Sequence, residues 1–368
     1  MAIIGNTEPV RQGVTRLGLG GSSLPADPET AYRIITEALG AGIPYVDMAS
    51  RYVNHQGVTL LSQVLRHNPR AAFTFGYKYP HWTISSEREF FLHLEELLRM
   101  LNLPHLDVLL YWGLTLQQCE QYGGRGGQFE WINHARRKGL VHKVGFTAND
   151  SPASICRMID SSIFESVTLE LNLLHTANLP AAVYARSKSV EVNVHGVMGG
   201  GRFGRDSSIL NRIVPGILRT PELALRYALG VPEVHRVLLG VSGEQQLAEN
   251  IAFSAKGGLS PDDRVLVDQV VLESSAAWER FCDSCGACGC CPQDVAVTEM
   301  LKLYPLIAFY AITYYPVKKY TRLLQDNRGY ERCNLCMECV NRCKFNTLVP
   351  EILSFTHTVL NKKQGGIT

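Results

Sequence analysis

Nine of the chain's 11 cysteines follow Phe281, and eight of them fall into two quartets: Cys282, Cys285, Cys288 and Cys291, then Cys333, Cys336, Cys339 and Cys343. The first reads C-x2-C-x2-C-x2-C-P and the second C-x2-C-x2-C-x3-C. A [4Fe-4S] cube takes four thiolates, three of which can come from one C-x2-C-x2-C turn wrapping a cube face. Zinc is the competing reading, since two C-x2-C pairs make a tetrahedral structural site. Each quartet here has a third cysteine at the same interval, which favours two [4Fe-4S] clusters. Disulfides are disfavoured because the rest of the chain reads as cytosolic, where thiols stay reduced. Cys290 adjoins Cys291 and is an alternative ligand, whereas Cys119 and Cys156 read as ordinary buried thiols. The chemistry expected of this region is redox chemistry inside a cell.

A second constellation lies nearer the N-terminus. Asp47 and Lys78 each end an expected strand, and Tyr52 follows five residues after Asp47. A carboxylate beside a lysine keeps the ammonium charged and oriented, and an ammonium beside a phenol lowers the tyrosine from its ordinary pKa of about 10. The expected product is a proton donor usable near neutral pH. Taken singly, the Asp reads as a helix cap, the Lys as a solvated charge and the Tyr as part of a wall.

The elements that must position these residues alternate. Eight β-rich runs are expected as strands: VTRLGLG, IPYVDMA, AAFTFGY, LDVLLYW, VHKVGFT, SVTLELN, VEVNVHGV and HRVLLGV. Between them lie amphipathic segments such as PETAYRIITEALGAG, SEREFFLHLEELLRMLN and PELALRYALG, with polar starts and Gly or Asn stops. Eight strand–helix pairs over some 240 residues match an α/β (β/α)8 TIM barrel, with catalysis at the C-terminal ends of the strands. A doubly wound sheet is the competitor, but LGLGGSS lacks the G-x-G-x-x-G spacing of a dinucleotide-binding turn. After Gly258 the alternation stops and a helix-like PDDRVLVDQVVLESSAAWERF leads into the cysteines. The expected division is therefore 1–258 as barrel and 259–368 as a small helical domain.

With 46% hydrophobic and 19% charged residues and a net charge of +2, the composition excludes a strongly basic nucleic-acid binder. MAIIGNTEPVRQ lacks the basic flank and apolar core of a secretory signal, so a cytoplasmic location is expected. The apolar stretch Leu303–Pro316 contains Pro305 and is shorter than the ~20 residues of a transmembrane helix. It reads as a buried helix, with Tyr304, Phe309, Tyr310, Tyr314 and Tyr315 as the alternative of a partner surface.

Together, VDMASRY, YKYP and LDVLLYWGL resemble stretches of the aldo/keto reductase superfamily, which carry an Asp, a Tyr five residues later, a Lys ending strand three and a His ending strand four. The resemblance implies Asp47, Tyr52 and Lys78 as catalytic residues, with Tyr111 at the position of the His. Tyr111 donates a hydrogen bond but does not titrate near pH 7 as His does, which leaves open whether a carbonyl or a conjugated double bond is reduced. His195 on strand seven reads as an interior histidine, with substitution for the missing imidazole as the alternative.

By the same resemblance, GFTAND places Thr147 and Asn149 on the nicotinamide side of a cofactor. GVSGEQQLAEN places Gly240 and Ser242 at its phosphates and Glu249 and Asn250 at its adenine, and MGGGRFG places Gly200, Gly201 and Arg202 over the pyrophosphate. Gln246 stands where the family commonly has an Arg for the 2′-phosphate, with Arg202 and Arg205 as the candidate cations in its place. NADP(H) is expected, with NAD(H) possible.

The cysteine region resembles a helical two-cluster ferredoxin, in which each run lends its fourth ligand to the other cluster. That implies Cys282, Cys285, Cys288 and Cys343 on one cluster, and Cys333, Cys336, Cys339 and Cys291 on the other. Lys344, not Pro, follows Cys343. A barrel of this type joined to such a tail resembles the iron-sulfur aldo/keto reductases. The expected function is nicotinamide-dependent reduction of a small-molecule substrate. The alternatives are an electron-transfer protein whose barrel docks or regulates, serving a redox partner protein, and clusters that are purely structural. No nucleic-acid or membrane partner is expected.

Overall fold

The computed structural model describes residues 14–70 and 73–364, with side chains to residue 362. The N-terminal stretch read for a signal, and Ala71 and Ala72 at the start of the third expected strand, lie outside the described residues.

The alternating runs form eight strands: β1 Leu17–Gly20, β2 Tyr45–Met48, β3 Thr74–Tyr79, β4 Leu106–Leu114, β5 Val141–Ala148, β6 Ser166–Glu170, β7 Glu191–His195 and β8 Val234–Leu239. They close in chain order into a barrel whose pairs are all parallel, β1 returning to β8. The chain is thus a (β/α)8 barrel followed by helices. The connecting helices start and stop where local chemistry directs. Helix Pro28–Gly40 is capped by Asp27, which accepts from Thr30 N at 2.9 Å, and buries Ala31, Ile34, Ile35 and Ala38 on one stripe. Helix Glu87–Leu101 begins at a Ser86 cap and ends at Asn102, in the left-handed region at φ 54°.

Register assigns the side chains to faces. In paired parallel strands, partners share a face and alternate residues along one strand switch faces. Asp47 pairs with Gly76, Lys78 with Leu110, Leu110 with Gly145, Gly145 with Ser166, and Glu170 with His195. This face points inward: a Cβ on Gly76 would stand 2.0 Å from the Tyr45 hydroxyl oxygen, so glycine is what admits the Tyr45 ring. Arg236 of β8 lies 4.4 Å from the centre of that ring and donates to Asn193 Oδ1. The opposite face, with Tyr79 and Tyr111, packs against Phe90 and Phe129 of the surrounding helices.

The described residues divide into two compact units: those up to Val197 with Leu225–Leu259, and Met198–Ala224 with those from Ser260 onward. In the second unit the helices Val297–Ala308, Tyr314–Gln325 and Val349–Gln364 enclose a core that includes Met300, Leu301, Val317, Tyr320, Val349 and Leu353. The apolar stretch read as one helix is two, because the chain turns between them at Ala311, whose φ is +48°. Among the described residues no helix is long and apolar enough to cross a membrane.

Candidate active site and cysteine centres

At the C-terminal ends of β2 and β3 the structure brings Asp47, Tyr52 and Lys78 together. Lys78 Nζ lies 2.8 Å from Asp47 Oδ1 and donates to the Tyr52 hydroxyl at 2.8 Å. Asp47 is fully buried. Its carboxylate meets the ammonium as an ion pair, and neither oxygen accepts an aligned hydrogen bond among the described residues. Burial is the largest influence on Lys78 and lowers it, but Asp47 and Tyr52 together outweigh burial and hold the ammonium above the ordinary lysine value. The expected fall of the Tyr52 pKa does not occur. Burial raises the phenol more than the Lys78 charge lowers it, and Asp47 adds to the rise. Tyr52 therefore stays a neutral, protonated donor held by a fixed cation.

The Tyr52 loop is locally strained: Val53, Asn54 and His55 all have φ between 50° and 65°. Such conformations cost about 1–3 kcal/mol each and persist where surroundings enforce them. Gly21 supplies part of the enclosure, since a Cβ there would stand 2.9 Å from Tyr52 Cδ2 and 2.8 Å from Asp47 O.

Tyr111 is not the fourth member of this group. Its ring lies on the outer face among Tyr79, Tyr122, Phe129 and Phe164, fully buried, and its hydroxyl has no partner among the described residues. Burial pushes its phenol well above the ordinary value. The inner-face residue at the end of β4 is Trp112, whose ring meets Tyr52 edge-on at 5.6 Å. The signal for it was the two-residue period of the strand, which puts Leu110 and Trp112, not Tyr111, on the face of Lys78. Thr147, expected at the nicotinamide, accepts from Gly113 N at 2.7 Å and so fixes the irregular end of β4 beside Trp112. Asn149 is exposed nearby.

His195 is half-buried on the inner face next to Glu170. Burial lowers its pKa, the Lys78 charge lowers it further, and Glu170 and Asp47 oppose the fall. Ser242 donates through its backbone N and its hydroxyl to Gln246 Oε1, at 2.9 and 3.2 Å. Gln246 thereby closes the loop that leads from Gly240 into helix Glu244–Ser254, which carries Glu249 and the buried Asn250. Glu249 accepts from Gln245.

Gly200, Gly201 and Arg202 belong to the second unit. There the Arg202 guanidinium lies 5.0 Å from the centre of the Tyr315 ring and donates to Gly199 O, Arg205 lies 4.7 Å from that of Tyr314, and the buried Ser207 hydroxyl donates to Tyr310 O. The aromatic run of the tail thus has the 198–224 loop as its partner.

The cysteines converge on two depressions of similar size, about 360 and about 340 Å³ with open solvent included. Cys282, Cys285, Cys288 and Cys343 line the first with Leu301 and Val349. Cys291, Cys333, Cys336 and Cys339 line the second with Val295, Val297 and Leu353. Each run of cysteines thus sends its last member to the other run's site. Lys344 fastens the first site, its Nζ 2.6 Å from Asp283 Oδ2, joining the residue after Cys343 to the residue after Cys282. Cys290 is exposed and donates to Ala287 O. Among the described residues the sole group of three potential ligands within 4.8 Å of one another is His105, Asp107 and His142, so neither quartet is drawn in to the sulfur spacing of a single tetrahedral zinc, about 3.8 Å for bonds of about 2.3 Å.

The sequence profile of the aldo/keto reductase family matches residues 16–215, more than half of the chain, and the chain belongs to that family. It is an oxidoreductase of the aldo/keto reductase type. Among solved structures it is similar to aldo-keto reductase AKR11C1 from Bacillus halodurans, at 20% identity and a TM-score of 0.61 over 69% of this chain and 91% of that one. A putative 2,5-diketo-D-gluconic acid reductase B is similar at 21% identity and 0.57, over 69% and 86%. PA4992, a putative aldo-keto reductase from Pseudomonas aeruginosa, is similar at 18% and 0.53, over 66% and 90%. At these identities the likeness concerns the fold. No curated protein matches.

Proposed function

We propose that the barrel is a nicotinamide-dependent reductase whose proton donor is Tyr52, and that the tail holds two [4Fe-4S] clusters. The observation that carries the first part is the Lys78 ammonium at 2.8 Å from both Asp47 and the Tyr52 hydroxyl. When bound, NADP(H), or NAD(H), supplies a hydride to an electrophilic carbon. What the chain supplies is the proton. Tyr52 holds it on its hydroxyl, delivers it to the oxygen that becomes negative, and the resulting phenolate is stabilised by Lys78 until solvent reprotonates it. Asp47 keeps Lys78 charged and aimed. For the cofactor we propose Thr147 and Asn149 at the nicotinamide end, Gly240 and Ser242 at a phosphate, and Glu249 and Asn250 at the adenine.

The tail reading rests on the interleaved quartets, which suit two cubes sharing runs better than two zincs. Bound clusters carry single electrons. Exposed Phe281, Leu335, Met337 and Phe345 beside the cysteines favour a second reading, in which those electrons pass to a redox partner protein. The test of the first reading is Tyr52→Phe. Turnover with NADPH over a panel of carbonyl and enone substrates should fall about 10²–10⁴-fold, the range of acid–base catalysis, with NADPH affinity retained. Full activity in that variant contradicts the role of Tyr52.

A further inference from the structure

We propose that the mouth of the barrel takes a flat, conjugated substrate bearing an anionic group, gripped by Trp112, Trp82 and Arg51. The inference rests on the reductase reading and names the substrate class for it. Trp112, near the C-terminal end of β4 on the inner face, meets Tyr52 at 5.6 Å with an interplanar angle of 75°. Trp82, in the turn that follows β3, lies 5.7 Å from Trp112 and keeps 45% of its surface exposed. Arg51, the residue before Tyr52, sets its guanidinium 5.8 Å from the centre of the Trp82 ring. Among the described residues no carboxylate takes up the Arg51 charge.

Tyr52, Trp112, Trp82 and Arg51 therefore form a continuous series of ring faces and edges with a cation at its outer end. Aromatic rings attract other rings edge-to-face or offset, and the indole face holds the guanidinium in place while leaving its N–H donors to a ligand. An aliphatic polyol finds few partners on such a wall. A planar ring system finds three, and its anionic substituent finds Arg51. The chemistry of Trp112 agrees. Indole donates one hydrogen bond and does not titrate near neutral pH, so no imidazolium stands there to polarise an isolated carbonyl. A conjugated acceptor spreads incoming charge over its own π-system and needs that help least.

The test is calorimetric binding to the full-length protein, purified without oxygen, of three redox-inert probes: naphthalene-2-sulfonate, uncharged naphthalene-2-carboxamide and cyclohexanesulfonate. The naphthalenesulfonate should bind roughly tenfold or more tightly than either of the others, a difference one ion pair and one stacked ring can supply. Arg51→Gln should erase the preference for charge while the naphthalene ring still binds. Trp82→Leu, at an exposed site, should weaken both naphthalenes, and Trp112→Leu should do so more strongly. Equal binding of cyclohexanesulfonate and naphthalenesulfonate, or an unchanged charge preference in Arg51→Gln, overturns the proposal. A separate NADPH turnover assay isolates the other reading: tight naphthalenesulfonate binding to a protein that oxidises no NADPH with any conjugated acceptor removes the reductase assignment and leaves the binding surface.

Discussion

At the scale of single residues, the buried ion pair sets the character of the site. Asp47 and Lys78 are both shielded from water, and removing one partner of such a pair costs about 3–5 kcal/mol because the other charge is left without compensation. Asp47→Asn should lower the melting temperature accordingly; an unchanged melt contradicts the pairing. The pH dependence has a definite sign. Lys78 is raised in the folded state, so its contribution is complete below the unfolded value of about 10.4 and fades only as pH climbs above it. Melting temperatures of wild type and the double variant Asp47→Asn, Lys78→Met, which leaves neither charge behind, should differ by a constant amount from pH 6 to 9 and converge only in stronger alkali. Tyr111 makes the contrary case. Its hydroxyl is buried without a partner among the described residues, a state that is costly for a polar group. Tyr111→Phe should leave stability equal or up to about 1 kcal/mol higher and leave the pH profile of turnover unmoved, whereas a pH profile altered by this change would return Tyr111 to the site.

At the scale of elements, the eight strands and their order were legible because β-rich runs of four to nine residues alternate with capped, striped helices, and each level of the sequence agrees with the others. Asp47 and Lys78 were legible for the same reason, as strand-end residues. Trp112 was not, because adjacent Tyr and Trp at a strand end look alike in composition, and only the inward parity fixed by Lys78 and Leu110 separates them. The raised phenol of Tyr52 was also out of reach, since spacing reveals a neighbouring cation but not the degree of burial. The break at Ala311 escaped because Pro305 was the visible interruption, yet the helix runs through it to Ala308. Least legible was the 198–224 loop. Its arginines and Ser207 are visible in the sequence, but their partners, the Tyr315 and Tyr314 rings and the Tyr310 carbonyl, lie about a hundred residues away. These rings should hold the loop. Tyr315→Ala, combined with Tyr314→Ala, should speed tryptic cleavage at Arg202 and Arg205, while the paired Phe substitutions keep the ring faces and the protection. Equal cleavage rates in all forms would show that the rings do not restrain the loop.

At the scale of the whole molecule, the chain joins an aldo/keto reductase barrel with a tail whose cysteines are interleaved. The interleaving has a measurable consequence, because each run depends on the other to complete its site. Cys343→Ser removes a thiol encoded in the second run but lining the first site, and Cys291→Ser does the reverse. The core of the tail packs directly on Cys288, Cys291, Cys333 and Cys339, so loss of a bound group should also loosen the helices around it. The most direct measurement is metal and sulfide content, with electron paramagnetic resonance of the reduced state, on anaerobically purified wild type, Cys343→Ser and Cys291→Ser. About eight irons and eight sulfides are expected in the wild type, with interacting signals. Each variant should lose about half of them, and the two variants should retain different clusters, distinguishable by their separate spectra. One zinc per quartet, iron without sulfide, or variants that lose the same cluster would contradict the account.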